Sequence, residues 1–212
     1  MLIRLLLLVA IAVGGFVVAR RAAAKVRERR LRLSSDELDA LLGLKERHPS
    51  IAEGLDARAR LLTIDGIESV PAVVTDVDTA MKELLRHAVL VERMDVSIEE
   101  LWGKDAQRRM DTLNKKRAGS DVDERERATL ERQRETALRL TARKEALEGD
   151  MRVLSLGLRD LYVSVLELSA SQGGLRKGDT KGAGAALRQT SDDVRRRAEA
   201  FDEVEAMIVE QP

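Results

Sequence analysis

The chain has 212 residues, enough for one domain of ordinary size with an appended element. Its 37 basic and 37 acidic residues cancel, and the absence of cysteine excludes disulfides, zinc-thiolate sites and iron–sulfur clusters. Aromatic residues, at 2%, are too few for an ordinary β-sandwich or α/β core, whereas 35% charged residues with abundant Leu, Ala, Arg and Glu are typical of long helices. The composition therefore predicts an all-α protein.

Residues 1–19 are predicted to form a single transmembrane helix. The stretch 5–19 is uncharged and almost wholly apolar, and the four residues before it bring the segment near the ~20 that cross a bilayer. A cleaved signal peptide is a second interpretation, because Ala22-Ala23-Ala24 resembles a cleavage site, although Arg20 and Arg21 interrupt it. A buried core helix is a third, and a central glycine pair and the basic flank argue against it.

A basic juxtamembrane segment, 20–33, follows the predicted anchor. It carries seven Lys/Arg, against one before the span, which predicts an inner-membrane protein with its C-terminal domain in the cytoplasm. Contact with nucleic acid is the alternative to contact with anionic lipid, but the segment has no aromatic side chain for stacking on bases. The predicted lipid-contacting residues are Arg20, Arg21, Lys25, Arg27, Arg29, Arg30 and Arg32.

Residues 34–66 are predicted to hold two short helices and a linker. Ser34 with Glu37 and Ser50 with Glu53 fit the capping box, in which each side chain satisfies a free N–H at a helix start. These signals predict helices at about 35–47 and 50–63, docked at the membrane-proximal end of the domain.

A long antiparallel helical hairpin is predicted over 67–172, with its tip near 117–121. The first arm, 71–117, carries a helical apolar stripe that is interrupted near Asp95, and a further box at Ser97 suggests a kink or a restart there. The second arm, about 121–171, begins at a cap on Ser120. The intervening region 103–136 is heavily charged, so the tip is expected to bury little and to be solvated and mobile.

The second arm keeps a seven-residue apolar repeat that is typical of a supercoiled helix contact. This packing seam predicts that replacing Leu154 or Leu161 with Asp unfolds or dissociates the bundle, and it is also consistent with self-association. The seam residues are Leu147, Met151, Leu154, Leu158, Leu161, Val165 and Leu168.

A glycine-rich loop, 173–186, and a C-terminal helix, 187–212, complete the prediction. Leu187, Val194, Phe201 and Ile208 recur every seven residues, so this helix is expected to return along the hairpin and complete a three-helix bundle.

The sequence contains no convincing catalytic pattern. The glycines of the loop have the spacing of a phosphate-binding loop, but Asp179 stands where such a loop needs Lys. Glu83 and His87 are four residues apart rather than the three of di-iron bundles, so His87 is interpreted as a surface or boundary residue. The mixed-sign charge runs are interpreted as solvated helix faces. No catalytic, cofactor-binding or metal-binding residue, no cofactor and no nucleic-acid partner is predicted.

These features predict a bacterial-type, membrane-anchored helical scaffold, adaptor or tether. Its coiled-coil-like bundle would face the cytoplasm and bind other proteins. The alternative is an exported, periplasm-facing helical sensor or binding module, which differs in the side of the membrane that the bundle occupies.

Overall fold

The computed structural model describes residues 32–116, 120–172, 175, 182 and 184–196. These residues form helices and short turns without any strand, which confirms the predicted all-α class for this part of the chain. The predicted membrane span 1–19 and the basic residues before Arg32 lie outside the described residues. Within the described ranges, no helix has the length and apolar character needed to span a bilayer.

Six helices can be followed along the described chain. A single 3-10 turn, Ile67–Ser69, lies in the linker after the second helix. The helices are α1 (Ser35–Leu44), α2 (Pro49–Leu62), α3 (Pro71–Trp102), α4 (Lys104–Lys115), α5 (Asp121–Gln172) and α6, described over 184–196.

Helix α1 begins with the capping box that its sequence contains. The Glu37 N–H donates to Ser34 Oγ at 3.2 Å, and the Ser34 N–H donates to Glu37 Oε2 at 2.8 Å. Because both free N–H groups are satisfied, the helix start is fixed, and Leu41 and Leu44 are directed into the core.

Helix α2 begins one residue before the predicted capping box, and that box does not form. Pro49 occupies the first helical position, where its fixed φ suits a helix and its missing N–H costs nothing. The Glu53 carboxylate instead accepts a hydrogen bond from Ser155 Oγ on α5 at 3.0 Å. The prediction of a cap at Ser50 is therefore wrong.

Helix α3 runs without interruption past Asp95 and Ser97, so the predicted restart there is also wrong. Asp95 binds Lys144 Nζ at 2.6 Å on the outside of the helix and does not interrupt it. The first arm breaks at Gly103, whose backbone is extended. A Cβ at this position would lie 2.4 Å from the Glu99 carbonyl oxygen, so the break requires glycine.

The two arms of the hairpin run antiparallel. Contacts join Asp95 to Lys144, Leu113 to Arg127, and Lys116 to Asp123. Residue numbers rise along the first arm while those of their partners fall along the second. Helices α3 and α4 therefore pack one after the other along the single helix α5.

Five described helices meet at the base of the hairpin, because α1, α2 and α6 all pack with the two arms, whereas the sequence predicted a three-helix bundle with the short helices docked at its end. Helix α2 packs against both arms. The arms come so close to Gly54 that a methyl group at this position would lie 2.9 Å from Leu84 Cδ1 and 3.3 Å from Leu158 Cδ1. Helix α6 buries Leu187 and Val194 in the same core. The C-terminal helix thus packs on the hairpin as predicted, and α1 and α2 complete the same core.

Candidate interaction surfaces

The predicted packing seam lies inside the bundle. Six of its seven residues, from Leu147 to Val165, are at most 2% exposed, and Leu168 packs against the same core at its edge. Helices α2, α3 and α6 of the same chain cover this face of α5. The seam is therefore occupied by the chain itself, and the expectation that it mediates self-association is wrong for this structure.

The face of α5 opposite the seam carries apolar side chains that the sequence analysis did not identify. At 100° per residue, Leu138, Leu156 and Val163 lie about half a turn from the seam, and Val153 and Leu166 lie about a third of a turn from it on either side. Four of the five fall within 153–166, about 20 Å of helix. A patch of this size is ordinary on a monomer, so it defines no partner by itself. This outer stripe consists of Leu138, Val153, Leu156, Val163 and Leu166, which are 42–59% exposed.

The hairpin tip has a small apolar core of its own. Met110, Leu113 and Leu130 are buried together, and Trp102 packs against them. Apart from this small core the described part of the tip buries little, as the sequence predicts, and its mobility stays a prediction. Its few apolar residues are spread along two arms, and only the antiparallel pairing brings them into contact.

Polar contacts fasten the tip around that core. Lys116 Nζ lies 2.6 Å from Asp123 Oδ1, and Arg127 donates to the Leu113 carbonyl at 2.9 Å. The Ser120 N–H donates to Asp123 Oδ2 at 3.0 Å. The hydrogen bond from Lys116, together with the one from Ser120, lowers the pKa of the Asp123 carboxyl from its usual value. These contacts join the end of α4 to the start of α5 beside the small core.

His87 is completely buried on α3, which corrects its interpretation as a surface or boundary residue. Its Nδ1 lies 2.8 Å from the Glu83 carbonyl oxygen, and because a carbonyl only accepts, Nδ1 is the protonated nitrogen. Its Nε2 has no hydrogen-bond partner among the described residues. The described part of the chain contains no cluster of three or more His, Asp or Glu side chains that could hold a metal ion.

Two buried aspartates on α3 attach the flanking helices. Asp78 accepts from Arg58 Nε of α2 at 2.9 Å, while Asp76 lies 3.4 Å from Arg188 Nε of α6. Burial raises the pKa of Asp76 to about 6, and the nearby Arg188 opposes this shift only in part. The sequence did not distinguish these acids from exposed ones, because their burial depends on how α2 and α6 pack against α3.

The chain matches no protein-family model, and neither curated proteins nor solved structures show significant similarity to it.

Proposed function

We propose that the chain is a membrane-anchored helical scaffold, adaptor or tether that presents its bundle to protein partners in the cytoplasm. The observation that carries this proposal is the separation between the entry of the described chain and the hairpin tip. The described chain enters beside Lys82, whose Nζ lies 3.2 Å from Glu37 Oε2 of α1. From Lys82 to Lys116 the first arm spans about 50 Å at 1.5 Å per residue.

The base and the tip of the hairpin differ in chemistry, as a tether requires. The base holds the large apolar core, and the sequence before it carries seven Lys/Arg suited to an anionic leaflet. The tip holds a core of only three buried residues under a surface of mixed charge. A partner bound there would be recognised through ion pairs, and its binding would weaken as salt rises. In this proposal the chain acts by binding and positioning rather than by catalysis.

Crosslinking from the two ends tests the role of the tip. A photo-crosslinking amino acid at Asp111, exposed on α4, is compared in cells with one at Arg159, exposed on the base of α5. The proposal predicts a discrete protein adduct from Asp111 that high salt reduces in isolated membranes, and none of the same mass from Arg159. Equal adducts from both positions, or none from Asp111, would contradict it.

A further inference from the structure

Helix α6 lies in a groove between α3 and α5. At its described start Gly184 packs on α3 so closely that a Cβ at this position would overlap Asp76 Oδ2. Leu187 packs on α5, since its Cδ1 would lie 3.3 Å from a Cβ at Gly157. The helix thus touches both arms of the hairpin.

The contacts of α6 rise along α3. Leu158, next to the α5 contact of Leu187, and Leu84 of α3 both reach the same glycine of α2, so Leu187 lies at the level of Leu84. Gly184, earlier in α6, lies at the level of the earlier residue Asp76. Helix α6 therefore runs in the same direction as α3, and its later residues lie over later residues of α3.

The inward face of α6 holds only two large apolar side chains. The buried residues of its described range are Gly184, Leu187, Ser191 and Val194. Ser191 is only 4% exposed, yet its Oγ has no hydrogen-bond partner among the described residues. Burying a hydroxyl without a partner is costly, so Ser191 opposes the docking of its own helix.

The face of α3 beneath α6 also buries polar groups at a cost. Glu83 and His87 follow Asp76 by about two and three helical turns and therefore share its face of α3. Glu83 Oε2 and His87 Nε2 are buried without a hydrogen-bond partner within the described ranges. Because water can hydrogen-bond to these atoms once α6 leaves, they lower the free energy that its release requires.

The ion pair at the start of α6 compensates for this burial only in part. Arg188 Nε lies 3.4 Å from Asp76 Oδ2, but it is also directed to the Gly184 carbonyl at 3.4 Å, and the Arg188 side chain is 52% exposed. An exposed pair at this separation contributes little to stability.

Helix α2, which packs on the same two arms, differs in this respect. Arg58 Nε of α2 donates to the buried Asp78 at 2.9 Å, and the buried Ser155 of α5 donates to Glu53 of α2 at 3.0 Å. These polar groups would lose a hydrogen bond if α2 left the arms. We therefore expect α2 to open only with the whole bundle.

We propose that α6 is a releasable helix, which leaves its groove as one unit while α1 to α5 stay folded. The chain that joins it to α5 keeps the released helix close enough to dock again. Release exposes the surfaces of α3 and α5 that Leu187 and Val194 cover. The inference goes beyond the proposed scaffold role and does not depend on it.

Thiol labelling of the full chain in a non-ionic detergent tests this release. The chain has no cysteine, so a single introduced thiol is the only site of reaction. Val194→Cys and Val165→Cys are a matched pair, because both valines are 0% exposed and only Val194 lies on α6. Under native conditions, with a rate proportional to reagent concentration, the thiol at 194 should react at least about tenfold faster. Equal rates at 194 and 165 would mean that α6 opens only with the bundle, and would overturn the proposal.

A third thiol distinguishes release as a unit from fraying of one end of the helix. Leu187→Cys lies two turns before position 194 and on the same inward face. Release as a unit predicts similar labelling rates at 187 and 194. Slow labelling at 187 with fast labelling at 194 would show fraying and overturn the proposal.

Ser191→Ala tests the physical cause of the release. Added to the Val194→Cys chain, it removes the unpaired hydroxyl and should slow labelling by about fivefold. Gln189→Ala is the control, because Gln189 is exposed on the same helix, and it should leave the rate nearly unchanged. Equal effects of the two alanine variants would contradict the assigned cause and overturn the proposal.

Discussion

At the scale of single residues, two leucines on α5 show what the fold requires of each position. Leu154 is fully buried in the seam, whereas Leu156, two positions later, is 54% exposed in the outer stripe. The two residues share a helix and an intrinsic helix propensity, so only the environment distinguishes them. Comparing the loss of unfolding free energy for the same substitution at Leu154 and at Leu156 therefore tests which face of α5 lies in the core.

Replacing Leu154 with Asp is expected to cost at least about 3 kcal/mol, since it leaves a cavity and buries an unpaired carboxylate. Leu156→Asp should change the free energy of unfolding by about 0.5 kcal/mol or less, as is usual for exposed positions. Thermal unfolding followed by circular dichroism compares the two. Similar melting of both variants would mean that the core is misplaced.

Asp76 predicts a specific pH dependence. Its pKa is raised to about 6 from a usual value of 3.8, so the folded state holds this proton more tightly than the unfolded state does. Its contribution to stability is therefore absent at neutral pH, grows as the pH falls through about 6, and is complete near 4. The gain is about 1 kcal/mol by about pH 5 and at most about 3 kcal/mol.

Urea unfolding of the wild type and of Asp76→Asn at about pH 7.5 and about pH 5 measures the contribution of Asp76 to the free energy of unfolding. We expect the variant to be the more stable of the two at neutral pH and to lose that advantage on acidification. Asp78→Asn is the control, because Asp78 pairs with Arg58 at 2.9 Å and its loss should destabilise. If Asp76→Asn is less stable than the wild type by the same amount at both pH values, the raised pKa of Asp76 is contradicted.

At the scale of helices, the packing of α2 against the two arms depends on small residues. The buried face of α2 consists of Ser50, Ile51, Gly54, Ala57 and Leu61, of which only two are large and apolar. Small residues let α2 approach both arms closely, but they add little to a hydrophobic pattern. This is why the long Leu-rich arm and the docking of a short helix could be predicted from sequence, while the close packing of α2 against both arms could not.

Gly54→Ala and Gly149→Ala test this close approach as a matched pair. Both glycines lie inside helices, so alanine favours the helix at each by about 0.5–1 kcal/mol. Gly149 has open space around its Cβ position, and its variant should be stabilised by that amount. At Gly54 the new methyl meets Leu84, Met81 and Leu158 at 2.9–3.3 Å, so the gain should be lost or reversed. Equal stabilisation in chemical unfolding would mean that α2 does not pack there.

The tip core predicts local rather than global stability. Leu130→Ala removes one of its three buried side chains and should raise hydrogen exchange across α4 and the start of α5. Exchange around Leu154 should stay slow, because that core is separate. Exchange that is already fast across the wild-type tip would mean that these three side chains do not form a stable core.

Other element boundaries show where local sequence signals succeed and where they fail. The caps at Ser34 and Ser120 could be predicted because each satisfies free N–H groups within the first turn of its own helix. The same signals at Ser50 and Ser97 mislead, since Pro49 fixes the earlier start and tertiary packing carries α3 through the later position. The cavity at the start of α2 could not be predicted, because its lining residues come together only through the packing of α2 on α5.

At the scale of the whole molecule, the charge is divided along the chain. Residues 1–32 are strongly basic, so the remainder of this neutral chain carries an equal excess of acid. From Lys82 to Lys116 the first arm spans about 50 Å, a separation that suits the proposed tether. The central claim is that the bundle stands on the cytoplasmic side of a membrane to which 1–19 anchors it.

Protease accessibility of a C-terminal tag in spheroplasts, with the intact mass read from the same sample, tests that claim most directly. The account predicts a membrane-bound, full-length protein whose tag is protected until the cells are lysed. Digestion of the tag in intact spheroplasts, or a mass short by the first twenty or so residues, would contradict it. Either result would favour the exported sensor or binding module.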